Sequence, residues 1–188
     1  MIEKFKLCCY YAFGITVGKL CYPKTLFASQ YFSRPGSKGW KWLYHAFWNQ
    51  KIRGINRHCP WPCSPGILFS DGRNIDFDVN DLNNFFSNGI YFQDIGKIVI
   101  GSGTFIGPNV GLITENHDIV DPAKRGGVKS VIIGEKCWIG MNSVVLSGVE
   151  LGEHTVVGAG SIVTKSFPEG HCVIAGNPAR IIKNIKFK

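Results

Sequence analysis

One histidine stands where a regular pattern fails. His117 lies within "LITENHDIVDPAKRGGVKSVIIG", residues 112–134, with Glu115 and Asp118 close by. An imidazole titrates near neutral pH and can take a proton from a hydroxyl, and a neighbouring carboxylate can orient it. The sequence leaves open whether Glu115 or Asp118 would do so. No nearby Ser or Cys has a triad arrangement, so the chemistry on offer is direct attack by a base-activated hydroxyl. Backbone N–H groups on a rigid scaffold would stabilise the oxyanion that forms. Alone, a loop histidine is ordinarily a surface residue; the weight comes from the pattern that His117 interrupts. His154, inside a regular unit, and His171, in "PEGHCV", read as structural or exposed, and His45 as part of an N-terminal helix.

The pattern is a six-residue repeat. Ile133, Ile139, Val145, Leu151, Val157 and Val163 are six apart, and upstream Ile100, Ile106 and Leu112 keep the same period. Such a period marks a parallel β-helix, whose units are too small to bury their own apolar side chain and must stack. Strand alternation places Thr104, Val110, Cys137, Ser143, Val149, Thr155 and Ser161 on the same inward face, two residues before each aliphatic. The glycine that follows most of the aliphatics is expected to supply the backbone freedom of a tight corner. Phe86, Phe92 and Ile98 continue the small-residue row into wider first coils. In this phase His117 and Trp138 both point outward. They are 21 residues apart, one coil of three hexapeptides plus three residues. With those three in the loop, Trp138 is expected about 4.8 Å above His117.

The remaining sequence bounds the function. Of 188 residues, 45% are hydrophobic and 18% charged, which is a globular balance, and the net charge of +8 favours anionic partners. Nucleic acid is not among those expected, because no binding motif is present and the basic residues are scattered except at the two ends. Residues 1–66 read as a helical, aromatic extension and linker. Trp40, Leu43, Tyr44, Phe47 and Trp48 form an amphipathic stripe, with Lys38, Lys41, Lys51 and Arg53 around it. Packing on the domain is the preferred reading of these helices, over contact with an anionic membrane surface. The apolar run at the N-terminus is too short and too interrupted to span a bilayer, and no signal-cleavage site follows it. Seven cysteines without a framework spacing read as reduced thiols in a cytoplasmic protein. "HCPWPC", His58 to Cys63, lacks a second ligand pair and reads as a proline-stiffened connector rather than a zinc site, so no metal is expected.

The marks "IGSGTFIGPNVGLITENHD", "IGEKCWIGMNSVVLSGVELGEHTVVGAGSIVTK" and "VIAGNPARII" resemble those of the hexapeptide-repeat acyltransferases. "WKW", "RHCPWPCSP", "DLNNF" and "GIYFQ" add a likeness to capsule and exopolysaccharide O-acetyltransferases, beside the galactoside and maltose branch. The resemblance implies a left-handed parallel β-helix over 67–177 with an extended loop at about 114–130 and a short C-terminal helix or tail over 178–188. It implies a homotrimer with acetyl-CoA in the grooves between subunits and His117 as the base. The cofactor residues so implied are Trp138, Gly140, Met141, Gly158, Ala159, Thr164, Lys165 and Arg180. Asn88, Tyr91, Gln93 and Asp94 lie where acceptor-binding residues come from. "AKRGG" is expected as a mobile basic tip reaching a neighbouring subunit, with "NHD" at the loop's rigid base.

The expected activity is acetyl transfer from acetyl-CoA to a sugar hydroxyl of a glycan or its precursor, at the cytoplasmic face of a membrane if the N-terminal helix is interfacial. The rivals are an acetyltransferase for a free small acceptor and a β-helix scaffold without catalysis. "VGAGSIVT" keeps the six-residue phase and opens no helix, which excludes a dinucleotide fingerprint.

Overall fold

The computed structural model describes residues 2–186, and the chain divides into two compact units, Met1–Pro65 and Gly66–Lys188. In the first unit a helix at Ile2–Phe13 runs on through a wide π-type turn, Gly14–Gly18, into Lys19–Cys21. It packs on a second helix, Lys38–Phe47, through two glycines. A Cβ on Gly18 would lie 2.6 Å from a Leu43 methyl, and one on Gly14 would overlap the Trp40 ring. Bare backbone at 14 and 18 therefore receives Trp40 and Leu43, both buried. Behind them Gln50 is buried with its amide satisfied. It accepts from the Tyr22 hydroxyl at 2.8 Å and donates to the carbonyls of Asn56 and Trp61 at 3.1 and 3.0 Å. That amide ties down the "HCPWPC" connector, whose Cys59 and Cys63 are buried with Cys63 Sγ 3.4 Å from Gln50 Nε2. Among the described residues no three metal-ligating side chains cluster, and no helix is long and apolar enough to cross a membrane.

The second unit is a parallel β-helix with three faces. The first face stacks Leu68–Phe69, Tyr91–Gln93, Gly111–Ile113, Val144–Val145 and Ile162–Val163. The second stacks Ile75–Phe77, Ile98–Ile100, Val131–Ile133 and Glu150–Leu151. The third stacks Phe105–Ile106, Trp138–Ile139, Val156–Val157 and Cys172–Gly176. Both inward rows are buried, and the small row also serves the corners: Ser143 and Thr155 hydroxyls donate to the carbonyls of Gly158 and Gly152.

The corner glycines do a different job from the one expected. None of Gly101, Gly107, Gly134, Gly140, Gly152 and Gly158 has positive φ. They are needed because the next coil lies directly against them. A Cβ at Gly134 would be 2.6 Å from Glu153 N, and one at Gly140 2.6 Å from Ala159 N. The left-handed residue comes three before each aliphatic, at Lys136, Asn142, Gly148, His154 and Gly160, with φ between 53° and 82°.

Three further expectations are corrected. Phe92 pairs with Leu112 on the aliphatic row, because the corner after it holds two extra residues. Phe86 is not in a strand: Val79–Phe85 is a 3-10 helix that replaces the third face in the first coil. Asn84 in that helix imitates a strand, donating to Thr104 O at 2.8 Å and accepting from Ile106 N at 2.9 Å. At the other end no helix or tail forms over the described residues. Ala179–Asn184, with the β-branched Ile181 and Ile182 at its centre, is a strand antiparallel to Cys172–Gly176 that finishes the third face.

These roles make opposite predictions for two neighbouring substitutions, read by urea denaturation. Gly134→Ala is expected to destabilise by about 1–3 kcal/mol through overpacking. Lys136→Gly, at φ 53°, is expected to stabilise by up to about 1 kcal/mol.

Candidate active site

The interruption of the repeat leaves the coil at the corner between first and second faces, after Ile113, and rejoins it at Val131. An uninterrupted coil takes 18 residues, Ile139 to Val157, whereas Ile106 to Ile139 takes 33, so 15 residues have been added. The added segment is a hairpin: Glu115–His117 pairs antiparallel with Arg125–Val128, and His117 lies opposite Arg125. "RGG" is therefore strand, not tip. A Cβ on Gly126 would lie 2.8 Å from the His117 carbonyl oxygen, so glycine is what allows the returning strand so close. The tip is instead held by Asp118, whose carboxylate accepts from Val120 and Asp121 N–H at 2.9 Å each. The N–H groups of Asp121 and Val120 hold that carboxyl below its usual range.

His117 is exposed, and its Nδ1 lies 2.7 Å from the carbonyl oxygen of Pro122. A carbonyl only accepts, so Nδ1 carries the hydrogen and Nε2 keeps its lone pair for a proton. Neither carboxylate expected in the orienting role performs it. Asp118 closes the tip, and both oxygens of Glu115 accept from Arg125 Nη1 at 3.1 and 2.9 Å. The base of the hairpin is clamped to the coil below. Glu115 N donates to Gln93 Oε1 at 2.9 Å, and Thr114 joins Gln93 O, Gly96 N, Lys129 N and the Ser147 hydroxyl.

The expected site residues fall on two edges of the prism. On the edge between first and second faces lie Gln93, Asp94, the His117 hairpin, Thr164 and Lys165. On the edge between third and first faces lie Asn88, Gly140, Met141, Gly158 and Ala159. Trp138 and Arg180 flank this second edge on the third face, where Arg180 pairs with Ala175. Trp138 does not stand over His117. It registers between Phe105 and Val156, and it is 58% exposed. The expectation failed because the insertion is a whole hairpin rather than three bulged residues.

Of the expected acceptor residues, Asn88 is exposed and Tyr91 half-buried, its hydroxyl 3.3 Å from that of Ser70. Gln93 supports the hairpin. Asp94 is fully buried, and its two oxygens accept from the backbone N–H groups of Ser70, Asp71, Gly72, Arg73 and Asn74. It is a strut for the first coil and has no surface to offer an acceptor. The residue that sequence reasoning missed is Pro122, whose carbonyl only the folded hairpin brings to His117.

With the parallel β-helix and its ejected hairpin defined, comparison shows what the chain resembles. Residues 130–165 match the family described as bacterial transferase hexapeptide (six repeats). The chain is 36% identical over 124 residues to a galactoside O-acetyltransferase of Escherichia coli (strain K12), covering 64% of this chain and 59% of that one. It is 36% identical over 129 residues to a candidate lipopolysaccharide biosynthesis O-acetyl transferase of the same strain, covering 62% and 60%. The fold matches a hexapeptide-repeat-containing acetyltransferase of Vibrio cholerae O1 biovar eltor complexed with acetyl coenzyme A. That match has a TM-score of 0.55 at 29% identity and covers 64% of this chain and 66% of that one. In sequence and fold the chain thus resembles hexapeptide-repeat acyltransferases, and it spans less than two thirds of the length of these curated relatives.

Asp94→Ala is expected to cost about 3 kcal/mol in urea denaturation, because several buried N–H groups lose a charged partner. Gln93→Ala is expected to cost about 1 kcal/mol or less while speeding amide exchange at Glu115 N–H.

Proposed function

We propose that the chain is an acetyl-CoA-dependent O-acetyltransferase acting on a sugar hydroxyl of a polysaccharide or its precursor, built on a left-handed coil and working as a homotrimer. The observation that carries the reading is the imidazole of His117, held by Pro122 O through Nδ1 on an exposed hairpin with Nε2 as its basic nitrogen. Nε2 takes the proton of the acceptor hydroxyl as its oxygen attacks the thioester carbonyl. The tetrahedral oxyanion then collapses, the C–S bond breaks, and the imidazolium returns its proton to the leaving thiolate.

The donor fits the other edge. Ala159, small and exposed beside the corner that buries Gly140, leaves room for the pantetheine arm, the exposed face of Trp138 forms a wall, and the exposed guanidinium of Arg180 suits phosphate. In one chain this edge and the His117 edge are separated by the first face. A threefold assembly, in which the donor edge of one copy meets the hairpin edge of the next, completes the site, with Thr164 and Lys165 contributed from the hairpin edge. The acceptor class follows the lipopolysaccharide-linked relative. The galactoside O-acetyltransferase relative favours a free sugar instead.

Acetyl-CoA turnover against glycans and free galactosides tests both points. His117→Ala is expected to lower kcat by about 10²–10⁴ with coenzyme A binding retained. Retained turnover in that variant removes the role of His117, and turnover confined to free galactosides replaces the polymer by the small acceptor. Co-expressed His117→Ala and Trp138→Ala chains are expected to regain turnover that neither has alone. No recovery means that both edges serve the same subunit.

A further inference from the structure

The charge of the protein is segregated. Residues 1–65 hold ten of the 21 Lys and Arg but one of the 13 acidic residues, Glu3, whereas residues 66–188 hold 11 basic and 12 acidic. The first unit thus carries +9 (10 − 1) and the second −1 (11 − 12) of the net +8. That unit also carries an exposed apolar stripe. The first helix and its continuation turn Gly14 and Gly18 toward Trp40 and Leu43. On the opposite side, at helical spacing, lie Phe5, Cys8, Cys9, Ala12, Ile15 and Leu20. All six are exposed, Phe5 by 71% and Leu20 by 87%. Lys4, Lys6 and Lys19, also exposed, border the stripe.

An exposed apolar stripe bordered by lysines, opposite a face already packed on protein, is the pattern of a helix that lies in a membrane interface. We infer that the outer face of the Ile2–Cys21 segment docks flat on an anionic lipid bilayer, with its apolar stripe in the headgroup boundary and Lys4, Lys6 and Lys19 on the lipid phosphates. Lysines at the margins of the stripe can extend to the headgroups while their stems stay on apolar surface. Charge excludes the obvious competing occupant. The same face of a second copy would set Lys4, Lys6 and Lys19 against their own counterparts with no acidic partner between them. A soluble polyanion would satisfy the cations but would leave Phe5, Ile15 and Leu20 in water. The docking needs neither acetyl-CoA nor an acceptor, so it stands or falls separately from acetyl transfer.

The test is co-sedimentation of the full chain with phosphatidylcholine vesicles, with and without phosphatidylglycerol, in the absence of coenzyme A. Partition onto the anionic vesicles is expected to exceed that onto neutral ones by about tenfold or more, and to weaken as salt rises. Phe5→Ser with Leu20→Ser is expected to lower binding to anionic vesicles by about tenfold or more. Both positions are solvent-exposed, so the circular dichroism and melting of that variant should match wild type. Lys4→Ser, Lys6→Ser and Lys19→Ser together are expected to reduce the preference for anionic lipid. The inference is overturned if wild type fails to bind, if it binds both vesicles equally, or if the apolar variant binds as well as wild type. It is also overturned if that variant binds equally well but changes oligomeric state, which would assign the stripe to a contact between chains.

Discussion

Backbone hydrogen bonds between successive coils hold the strands about 4.8 Å apart, and at the corners that separation leaves no room for a Cβ. Gly134 and Gly140 lie so close to the coil above that a methyl group would sit 2.6 Å from a backbone nitrogen. Closeness at the corner is what brings the aliphatic rows into contact, so burial of Ile133, Ile139, Leu151 and Val157 depends on those bare positions. The small row is bound by the same separation: Ser143, Thr155 and Ser161 can reach corner carbonyls only because corner and strand are compressed together.

That constraint explains which parts of the molecule could be read from sequence. A stack of nearly identical units writes its period into the chain, so the β-helix and both inward rows were legible from Thr104 to Val163. The period carries phase but not the cause of each residue. Glycine after the aliphatic reads equally well as a flexible corner or as a close approach, and only the φ angles separate the two. The first coils were misread where local geometry departed from six. Two additional residues moved Phe92 to the other row, and a 3-10 helix with Asn84 as its hydrogen-bonding surrogate replaced a strand. The C-terminal segment was expected as a helix or tail from residue 178, whereas Ala179–Asn184, with Ile181 and Ile182, extends the third face as a strand.

The site was legible as a location more than as an arrangement. The break in the repeat singled out His117, but two nearby carboxylates were natural candidates to orient it, and both have other work. Glu115 holds Arg125 across the hairpin, Asp118 closes its tip, and the orienting group is a backbone carbonyl with no signature in composition. Asp94 shows the converse: a polar residue at a plausible acceptor position spends its whole carboxylate on five backbone N–H groups. Counting 21 residues to Trp138 assumed a small bulge. The 15-residue insertion uses up most of that count, so the tryptophan lies only one face beyond the hairpin's exit at Val131–Ile133, on the third face over Phe105.

The hairpin consists of residues exempt from the coil's rules. Its strands pair only with each other, none of its residues from Asn116 to Ser130 is buried, and the coils on either side close beneath it through Ile113 and Val131. Natural variation in this segment therefore comes at little expense in folding free energy, a separation of adaptability from robustness that a segment packed into the interior would not permit. The scaffold keeps its six-residue discipline, and the inserted cassette is left at liberty to diverge.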